Sequence, residues 1–248
     1  MVTGASAGIG TDLARGLAAR GHGVTLVARR GDRLRALAEE LGPGAEPAVC
    51  DLGDAGARDA LVAGLDRTVV GVCNNAGFGA VGRCAELEEA RQLELVRVNV
   101  EAVLHLTRAF LPAMVAAGAG AILNVASTAA YQPLPGFAAY AASKAFVQSF
   151  SEAVHEELAG TGVSVTCLSP GFTHTEFGAA AGTGATGGLP GFLFGDADDV
   201  AELGIEAMLA GRRSAIPGLA NRASMVAGRA APRSLLLPLV RQVTDRLR

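Results

Sequence analysis

The amino-acid sequence predicts an α/β protein: a single domain with one doubly wound parallel sheet of about seven strands and helices on both faces. Short apolar runs alternate with longer segments of helical periodicity along most of the chain, a pattern typical of parallel sheets. The length of 248 residues fits one large domain, and a hydrophobic content of 50% is ample for a buried core. Because no repeat or linker stands out, we predict a single domain over residues 1–248.

The predicted strands are short apolar runs, and the segments between them have helical spacing. The strands cover residues 1–2, 23–28, 46–50, 68–73, 121–126, 163–168 and 214–216. The helices cover the segment that ends near residue 21, then 31–41, 54–66, 86–117, the segment up to about residue 160 that carries Tyr140 and Lys144, and 198–210. Right-handed crossovers place the carboxyl ends of all parallel strands at one edge of the sheet. We therefore expect that edge to be lined by the residues that follow the strands, namely Gly4, Arg29, Asp51, Asn75, Ser127 and Pro170.

The first strand leads into Thr-Gly-Ala-Ser-Ala-Gly-Ile-Gly at residues 3–10, and a helix follows. Glycines at positions 4, 8 and 10 allow a tight turn and the close approach of a bulky anion, to which the helix N-terminus offers free N–H groups. This context favours a dinucleotide site, although the spacing differs from Gly-x-Gly-x-x-Gly and a simple turn is the alternative. The first strand is shorter than is usual for such a unit, so an upstream start of the natural chain is also an expectation.

Arg29 and Arg30 directly follow the second strand, at the position that faces the adenosine ribose in a dinucleotide site. An acidic residue there would bind the 2′-hydroxyl of NAD, whereas arginine suits the 2′-phosphate of NADP. Positions 28 and 29 carry no acidic residue, so the sequence favours NADP(H) over NAD(H). The alternative is a solvated basic start of the next helix.

Other strand ends also carry polar groups. Asp51 follows the third strand and could bond the adenine amino group or cap the helix at 54–66. The small residues and amides of Asn-Asn-Ala-Gly at 74–77 suit close passage of a cofactor, while an ordinary turn is the alternative. Asn99 falls inside a helical segment, where asparagine is disfavoured, so it needs a hydrogen-bond partner of either a functional or a structural kind.

Tyr140 and Lys144 are four residues apart in a predicted helix and therefore share one face. Lys144 is the only lysine among the 21 lysines and arginines of the chain. A cation near a phenol lowers the phenol's pKa from about 10 towards neutrality, which improves it as a proton donor and acceptor. Ser127, at the end of the fifth strand, can donate a hydrogen bond to a developing oxyanion. Chance placement of the lysine is the alternative.

Composition excludes several classes of protein. A net charge of −3 and a pI near 5.8 give no electrostatic basis for binding nucleic acid or an anionic membrane. No uninterrupted run of about 18 apolar residues and no signal-peptide layout occur, so we expect neither a transmembrane helix nor export. The cysteines (50, 73, 84 and 167) have no Cys-x-x-Cys spacing and predict reduced thiols in a cytoplasmic protein. The scattered histidines predict no metal site.

Two segments near the end of the chain predict accessory elements. Residues 178–196 are rich in glycine and alanine and predict a mobile substrate loop. Nearby phenylalanines could cover an apolar substrate or anchor the loop; they are Phe172, Phe177, Phe192 and Phe194. The extension 218–248 interleaves leucine and arginine at helical spacing, which predicts packing on the domain or on another subunit, with peripheral membrane contact as the alternative.

These motifs resemble the short-chain dehydrogenase/reductase family, whose sheet is Rossmann-like. The resemblance covers about residues 1–217 and rests on Thr3-Gly-x-x-x-Gly8-x-Gly10, Asp51-Leu52, Asn74-Asn75-Ala76-Gly77, Asn99, Ser127, Tyr140-x-x-x-Lys144 and Pro170-Gly171 with Thr175. It implies that Tyr140 is the catalytic acid/base and that Ser127 orients the carbonyl. Lys144 and Asn99 would support them, and Thr175 would hold the nicotinamide carboxamide. The implied cofactor contacts are Gly4, Ser6, Gly8, Ile9, Gly10, Arg29, Arg30, Asp51, Leu52, Asn75, Ala76, Gly77, Tyr140, Lys144, Pro170, Gly171, Thr173 and Thr175.

The sequence therefore predicts an NADP(H)-dependent oxidoreductase that interconverts an alcohol and a carbonyl, with Tyr140 as acid/base. The nicotinamide supplies the hydride, and the protein supplies position and charge. One rival is a non-catalytic NADP-binding sensor or scaffold, against which the complete Ser127, Tyr140 and Lys144 set argues. Another is a methyltransferase of similar architecture, which needs no tyrosine–lysine pair. The expected partners are a small, apolar carbonyl or alcohol and further copies of the chain in a homodimer or homotetramer.

Overall fold

The computed structural model describes residues 1–182 and 194–245. The strands are β1 (Val2–Thr3), β2 (Val24–Ala28), β3 (Ala45–Val49), β4 (Gly71–Asn74), β5 (Gly120–Val125), β6 (Val163–Leu168) and β7 (Ser214–Ala215). In the described part of the chain they form one seven-stranded sheet in the order β3-β2-β1-β4-β5-β6-β7, and neighbouring strands are parallel throughout. The predicted Rossmann-like parallel sheet is confirmed.

Helices connect the successive strands and cover both faces of the sheet, and two further helices follow β7. They are α1 (Ile9–Ala19), α2 (Gly31–Leu41), α3 (Ala55–Ala63), α4 (Glu89–Val96), α5 (Ala102–Ala117), α6 (Ala138–Glu157), α7 (Phe177–Ala181), α8 (Ala197–Leu209), α9 (Leu219–Ala230) and α10 (Arg233–Asp245). A 3₁₀ turn, Thr128–Tyr131, follows β5. The predicted loop 178–196 thus starts within helix α7, and most of it, with Phe192, lies outside the described residues.

The sheet separates two hydrophobic cores. Leu26 and Val27, neighbours on β2, point to opposite faces and are both fully buried. Leu26 belongs to the core beneath α1 and α8, and Val27 to the core beneath α5 and α6. Because the central strands are buried on both faces, they appear in the sequence as continuous apolar runs rather than alternating ones.

The strand order reverses at β1. From β1 the chain builds outwards through β2 and β3, then returns to the other side of β1 and continues from β4 to β7. Ligands of such folds bind where the order reverses, outside the carboxyl ends of the strands. The carboxyl ends of β1 and β4, which carry Gly4 and Asn75, therefore mark the expected site.

One long helical stretch is built from α4, a π-helical turn (Arg97–Glu101) and α5. The sequence predicts an uninterrupted helix over 86–117, whereas the structure begins it at Glu89 and inserts the π turn around Asn99. Such turns redirect side chains locally and are frequent at functional sites. Glu89–Ala117 is long and apolar enough to cross a membrane by length and composition alone: the mean hydropathy of an 18-residue window in it is 1.3, and 33% of that window is buried inside the fold.

Candidate active site

The glycine-rich loop lies at the reversal point, between the carboxyl ends of β1 and β4. Gly4 and Gly8 have positive φ angles of 68° and 53°, which residues with a Cβ rarely adopt. A Cβ on Gly4 would lie 2.8 Å from Nδ2 of Asn75, and one on Gly8 would lie 2.8 Å from Cγ2 of Thr175. Because α1 begins at Ile9, its positive dipole end and first N–H groups are at this loop. The loop therefore fits the phosphates of a dinucleotide.

Thr3 ties the glycine-rich loop to the end of β4. Its Oγ1 accepts hydrogen bonds from the backbone N–H groups of Asn75 and Ala76, both at 3.0 Å, and donates to the carbonyl of Cys73 at 3.2 Å. The side-chain amide of Asn75 donates to the carbonyl of Thr3 at 3.0 Å. Asn75, predicted as a cofactor contact, thus also holds the loop in place. Thr3 is a positioning residue, whereas the sequence indicates it only as the first residue of the glycine-rich motif.

Two arginines converge on Ser6 of the loop. Arg30 donates to Oγ of Ser6 through Nε at 3.1 Å and Nη2 at 3.0 Å, and Nη1 of Arg33 lies 3.4 Å from the Ser6 carbonyl oxygen. Both arginines also pair with the carboxylate of Glu176. Arg29, the other predicted cofactor residue here, instead pairs with Glu94 of α4 at 3.1 Å. Neither Arg33 nor Glu176 has a local sequence signal for this contact, because the contact joins residues 143 positions apart in the chain.

Asp51 follows β3, as predicted, and its side chain is exposed. Its Oδ1 accepts a hydrogen bond from the N–H of Gly53 at 2.9 Å. The cap of α3 is Asp54, whose Oδ1 accepts from the N–H of Ala57 at 2.7 Å. The alternative prediction that Asp51 caps this helix is therefore wrong, because α3 begins at Ala55, four positions beyond Asp51. Leu52, the other residue of this motif, is buried in the core beneath α5 and α6.

Asn99 occupies the π turn and is fully buried. Its Oδ1 accepts from the N–H of Phe78 at 3.1 Å, and its Nδ2 donates to the Phe78 carbonyl and to Oγ of Ser143, both at 3.0 Å. Ser143 in turn donates to the carbonyl of Tyr140 at 2.7 Å. Asn99 therefore fastens the segment after β4 to the start of α6. These hydrogen bonds correspond to the structural alternative for Asn99. Ser143, which links Asn99 to Tyr140, was not predicted from the sequence.

Lys144 lies on α6 one helical turn after Tyr140, and it is 5% exposed. Its Nζ donates to the carbonyl of Val125, the last residue of β5, at 2.7 Å. A Cβ on Gly77 would lie 3.3 Å from this Nζ and 3.0 Å from Oδ1 of Asn99. The ammonium therefore sits where β5, α6 and the segment after β4 meet. Burial lowers the pKa of Lys144 to about 8.

The ring of Tyr140 packs against two other aromatic rings. The ring centroid of Phe177 lies 5.3 Å from that of Tyr140, the centroid of Phe137 lies 6.3 Å away, and Nζ of Lys144 lies 5.9 Å from the Tyr140 ring. Burial raises the pKa of Tyr140 to about 12, and a hydrogen bond with Ser127 offsets part of that rise. The sequence predicts a pKa lowered by Lys144, and this is wrong for the structure: burial raises the pKa, and the group that opposes the rise is Ser127.

Ser127 caps the 3₁₀ turn that follows β5. Its Oγ accepts from the N–H of Ala129 at 3.1 Å and lies 3.4 Å from the carbonyl oxygen of Pro170. That carbonyl also accepts from the N–H of Thr128 at 2.8 Å. The ends of β5 and β6 are thus joined beside Tyr140, which places Ser127 and Pro170 on the predicted edge.

The residues after Pro170 lead from β6 back to the glycine-rich loop. Gly171 packs against the side chain of Asn221 on α9, and Thr173 forms a bridge with Gly195. Thr175 contacts Gly8, as described above, and its Oγ1 accepts from the N–H of Phe177 at 3.2 Å. Three of the four phenylalanines predicted to cover a substrate or anchor the loop lie in the described residues. Phe177 packs on Tyr140, and Phe172 and Phe194 pack on each other with ring centroids 5.7 Å apart.

Comparison with known proteins agrees with this geometry. The family model described as short chain dehydrogenase matches residues 1–186. Sulfoacetaldehyde reductase 2 from Chromohalobacter salexigens is 37% identical over 215 residues, which cover 82% of this chain and 85% of that protein. An NADP-dependent 3-hydroxy acid dehydrogenase from Salmonella typhi is 37% identical over 182 residues, covering 71% of this chain and 73% of that protein.

Solved structures give the same result. A short-chain dehydrogenase from Sphingobium yanoikuyae in complex with NADPH superposes with a TM-score of 0.83 at 32% identity, covering 92% of this chain and 91% of that one. A 7β-hydroxysteroid dehydrogenase superposes with a TM-score of 0.84 at 26% identity, covering 96% and 95%. The fold and site define an α/β oxidoreductase with a dinucleotide cleft. The chain belongs to the short-chain dehydrogenase/reductase family.

Proposed function

We propose that this protein is an NADP(H)-dependent oxidoreductase that interconverts an alcohol and a carbonyl compound, with Tyr140 as the group that donates and accepts the proton. The observation that carries the proposal is the grouping of Ser127, Tyr140 and Lys144 at the carboxyl end of β5. That end lies on the same edge as the glycine-rich loop. A binding protein without chemistry would need the loop but not the buried phenol and ammonium.

The residues present fit a dinucleotide. Gly4 and Gly8 allow the loop to pack closely against Asn75 and Thr175, where a Cβ would clash, and the N-terminus of α1 offers N–H groups to phosphate oxygens. At Ser6, Arg30 and Arg33 provide two guanidinium groups suited to the 2′-phosphate that distinguishes NADP(H) from NAD(H). The names of two relatives, one in complex with NADPH and one NADP-dependent, point the same way. When bound, the cofactor supplies the hydride.

The side chains around Tyr140 suit proton transfer to an alkoxide. A phenol with a pKa of about 12 keeps its proton at neutral pH, so Tyr140 is in the form that reduction of a carbonyl requires. Ser127, which lies beside Tyr140 and opposes the rise in its pKa, can donate to the same substrate oxygen. Lys144 places a positive charge near the phenolate that remains after transfer. Asn99, through Ser143, fixes the first turn of α6 and acts as a positioning residue.

The substrate is proposed to be a small carbonyl compound or alcohol. Phe177 and Phe137 present apolar surface beside Tyr140, which favours an apolar molecule. Two relatives are named for sulfoacetaldehyde and for 3-hydroxy acids, which carry an acid group. A panel of candidate substrates should therefore contain both apolar carbonyl compounds and carbonyl compounds that carry an acid group.

Consumption of NADPH by the purified protein across that panel tests the proposal. We expect turnover with at least one carbonyl compound and slower turnover with NADH. Binding of NADPH without turnover of any member, in a protein whose Tyr140→Phe variant behaves identically, would favour the non-catalytic rival. Homo-oligomer formation, a cytoplasmic location and packing of the extension 218–248 on the domain or on another subunit, with membrane contact as the alternative, stay predictions.

A further inference from the structure

Three consecutive residues contact three separate parts of the proposed cofactor site. Thr175 lies against Gly8 of the phosphate loop. Glu176 pairs with the arginines beside Ser6. Phe177 packs on Tyr140. We call residues 173–182 the covering segment. The same segment is held at its far end by a hydrogen bond from the N–H of Val81 to the carbonyl of Ala181 at 3.1 Å.

The contact of Glu176 divides one carboxylate between two guanidinium groups. Oε2 accepts from Nη1 of Arg30 at 2.8 Å, and Oε1 accepts from Nη1 of Arg33 at 2.7 Å. These hydrogen bonds lower the pKa of Glu176 below its usual value, so the group is an anion at neutral pH. The carboxylate offers the arginines two oxygens and a negative charge. A phosphate monoester offers the same chemistry with more charge and one more oxygen.

We propose that Glu176 determines cofactor specificity by occupying the Arg30–Arg33 site until the 2′-phosphate of NADP(H) replaces it, which releases the covering segment from Tyr140. The inference rests on the proposed use of NADP(H). A cofactor without the 2′-phosphate has no group to exchange with the carboxylate, so Glu176 stays paired and the segment stays in place. The carboxylate weakens binding of the 2′-phosphate because that group must displace it, and discrimination arises because only a cofactor with the 2′-phosphate releases the covering segment from Tyr140.

The expected effect is modest because the three side chains are exposed. Each exposed ion pair contributes at most about a fivefold factor in an equilibrium constant. Removal of the Glu176 charge should therefore tighten binding of a 2′-phosphorylated ligand by about threefold to tenfold. Since Glu176 packs on no core residue, the variant should melt like the natural protein, which thermal unfolding checks.

The test uses two adenosine fragments, 2′,5′-ADP and 5′-ADP, because they bind without turnover. Calorimetry should show that Glu176→Gln tightens 2′,5′-ADP about threefold to tenfold and leaves 5′-ADP within about twofold. Glu40→Gln is the matched control, since Glu40 also pairs bidentately with an arginine, Arg15, at 2.7 and 2.9 Å, but lies at the other end of α2. This control should change neither affinity.

Amide hydrogen exchange distinguishes displacement of Glu176 by the phosphate from simple repulsion between their charges. In the natural protein, 2′,5′-ADP should speed exchange of the covering segment and of the Val81 amide, whereas 5′-ADP should not. In Glu176→Gln the segment should exchange fast without ligand. Unchanged exchange in both cases, or equal tightening of both fragments, would overturn the inference. If the natural protein fails to bind 2′,5′-ADP at all, the proposed NADP(H) function fails; if it binds and Glu176→Gln does not tighten it, the inference alone fails.

Discussion

The ammonium of Lys144 donates a 2.7 Å hydrogen bond to the carbonyl of Val125 and lies 5.9 Å from the centroid of the Tyr140 ring. One turn of α6 therefore brings both groups to the carboxyl end of β5. Burial opposes charge on both: it lowers the pKa of Lys144 to about 8 and raises that of Tyr140 to about 12. At neutral pH the phenol is protonated and the amine is still mainly charged.

The first prediction concerns the dependence of stability on pH. Folding lowers the pKa of Lys144 from 10.5 to about 8, so between these values the unfolded chain binds more protons than the folded chain. The free energy of unfolding contributed by this group therefore rises with pH across that window. From pH 8 to 10.5, the free energy of unfolding of the natural protein should therefore rise by about 2–3 kcal/mol more than that of the Lys144→Met variant.

Denaturant unfolding of both proteins across this range measures the gain. Groups such as the buried thiols titrate in both proteins and largely cancel in the difference. Parallel stability curves for the two proteins would show that the Lys144 amine is not desolvated.

The second prediction concerns Asn99. Asn99→Ala removes three buried hydrogen bonds and leaves the backbone N–H and carbonyl of Phe78 unpaired. We expect a loss of about 2–4 kcal/mol in the free energy of unfolding. Asn221→Ala, which removes a single bond from a partly exposed side chain to the Pro217 carbonyl, should cost less than about 1 kcal/mol. Equal losses for the two variants would contradict the linking role of Asn99.

The third prediction separates the two adjacent arginines. Because Arg30 contacts Ser6 while Arg29 pairs with Glu94, Arg30→Ala should weaken NADPH binding about tenfold, and more than Arg29→Ala does. Both variants should affect NADPH more than NADH. Arg20→Ala, which alters an ion pair with Glu202, is the control and should change neither. Fluorescence titration of reduced cofactor measures these affinities, and an equal loss for the two cofactors would argue against recognition of the 2′-phosphate.

The sequence was sufficient to predict those site residues whose location follows from strand ends or from helical spacing. Ser127 and Pro170 lie where their strands end, and the spacing of Tyr140 and Lys144 places them together, because parallel strands share one edge and helices repeat every 3.6 residues. The contact of Glu176 with Arg33 spans 143 residues and had no local signal. The pKa of Tyr140 was also beyond reach, because burial by Phe177 depends on how the covering segment folds back.

The most direct test of the account compares the only two tyrosines of the chain. Tyr131 is buried, and its hydroxyl donates to Oγ of Ser169 at 3.2 Å, so Tyr131→Phe removes a phenol hydroxyl near β6 without touching the proposed acid/base. With a carbonyl substrate from the panel, Tyr140→Phe should lower the rate of NADPH oxidation by about a hundredfold to ten-thousandfold, while the Kd for NADPH stays within about threefold. Tyr131→Phe should keep a rate close to that of the natural protein. A Tyr140→Phe variant that binds NADPH and turns over at the natural rate would contradict the assignment of Tyr140 as the proton donor.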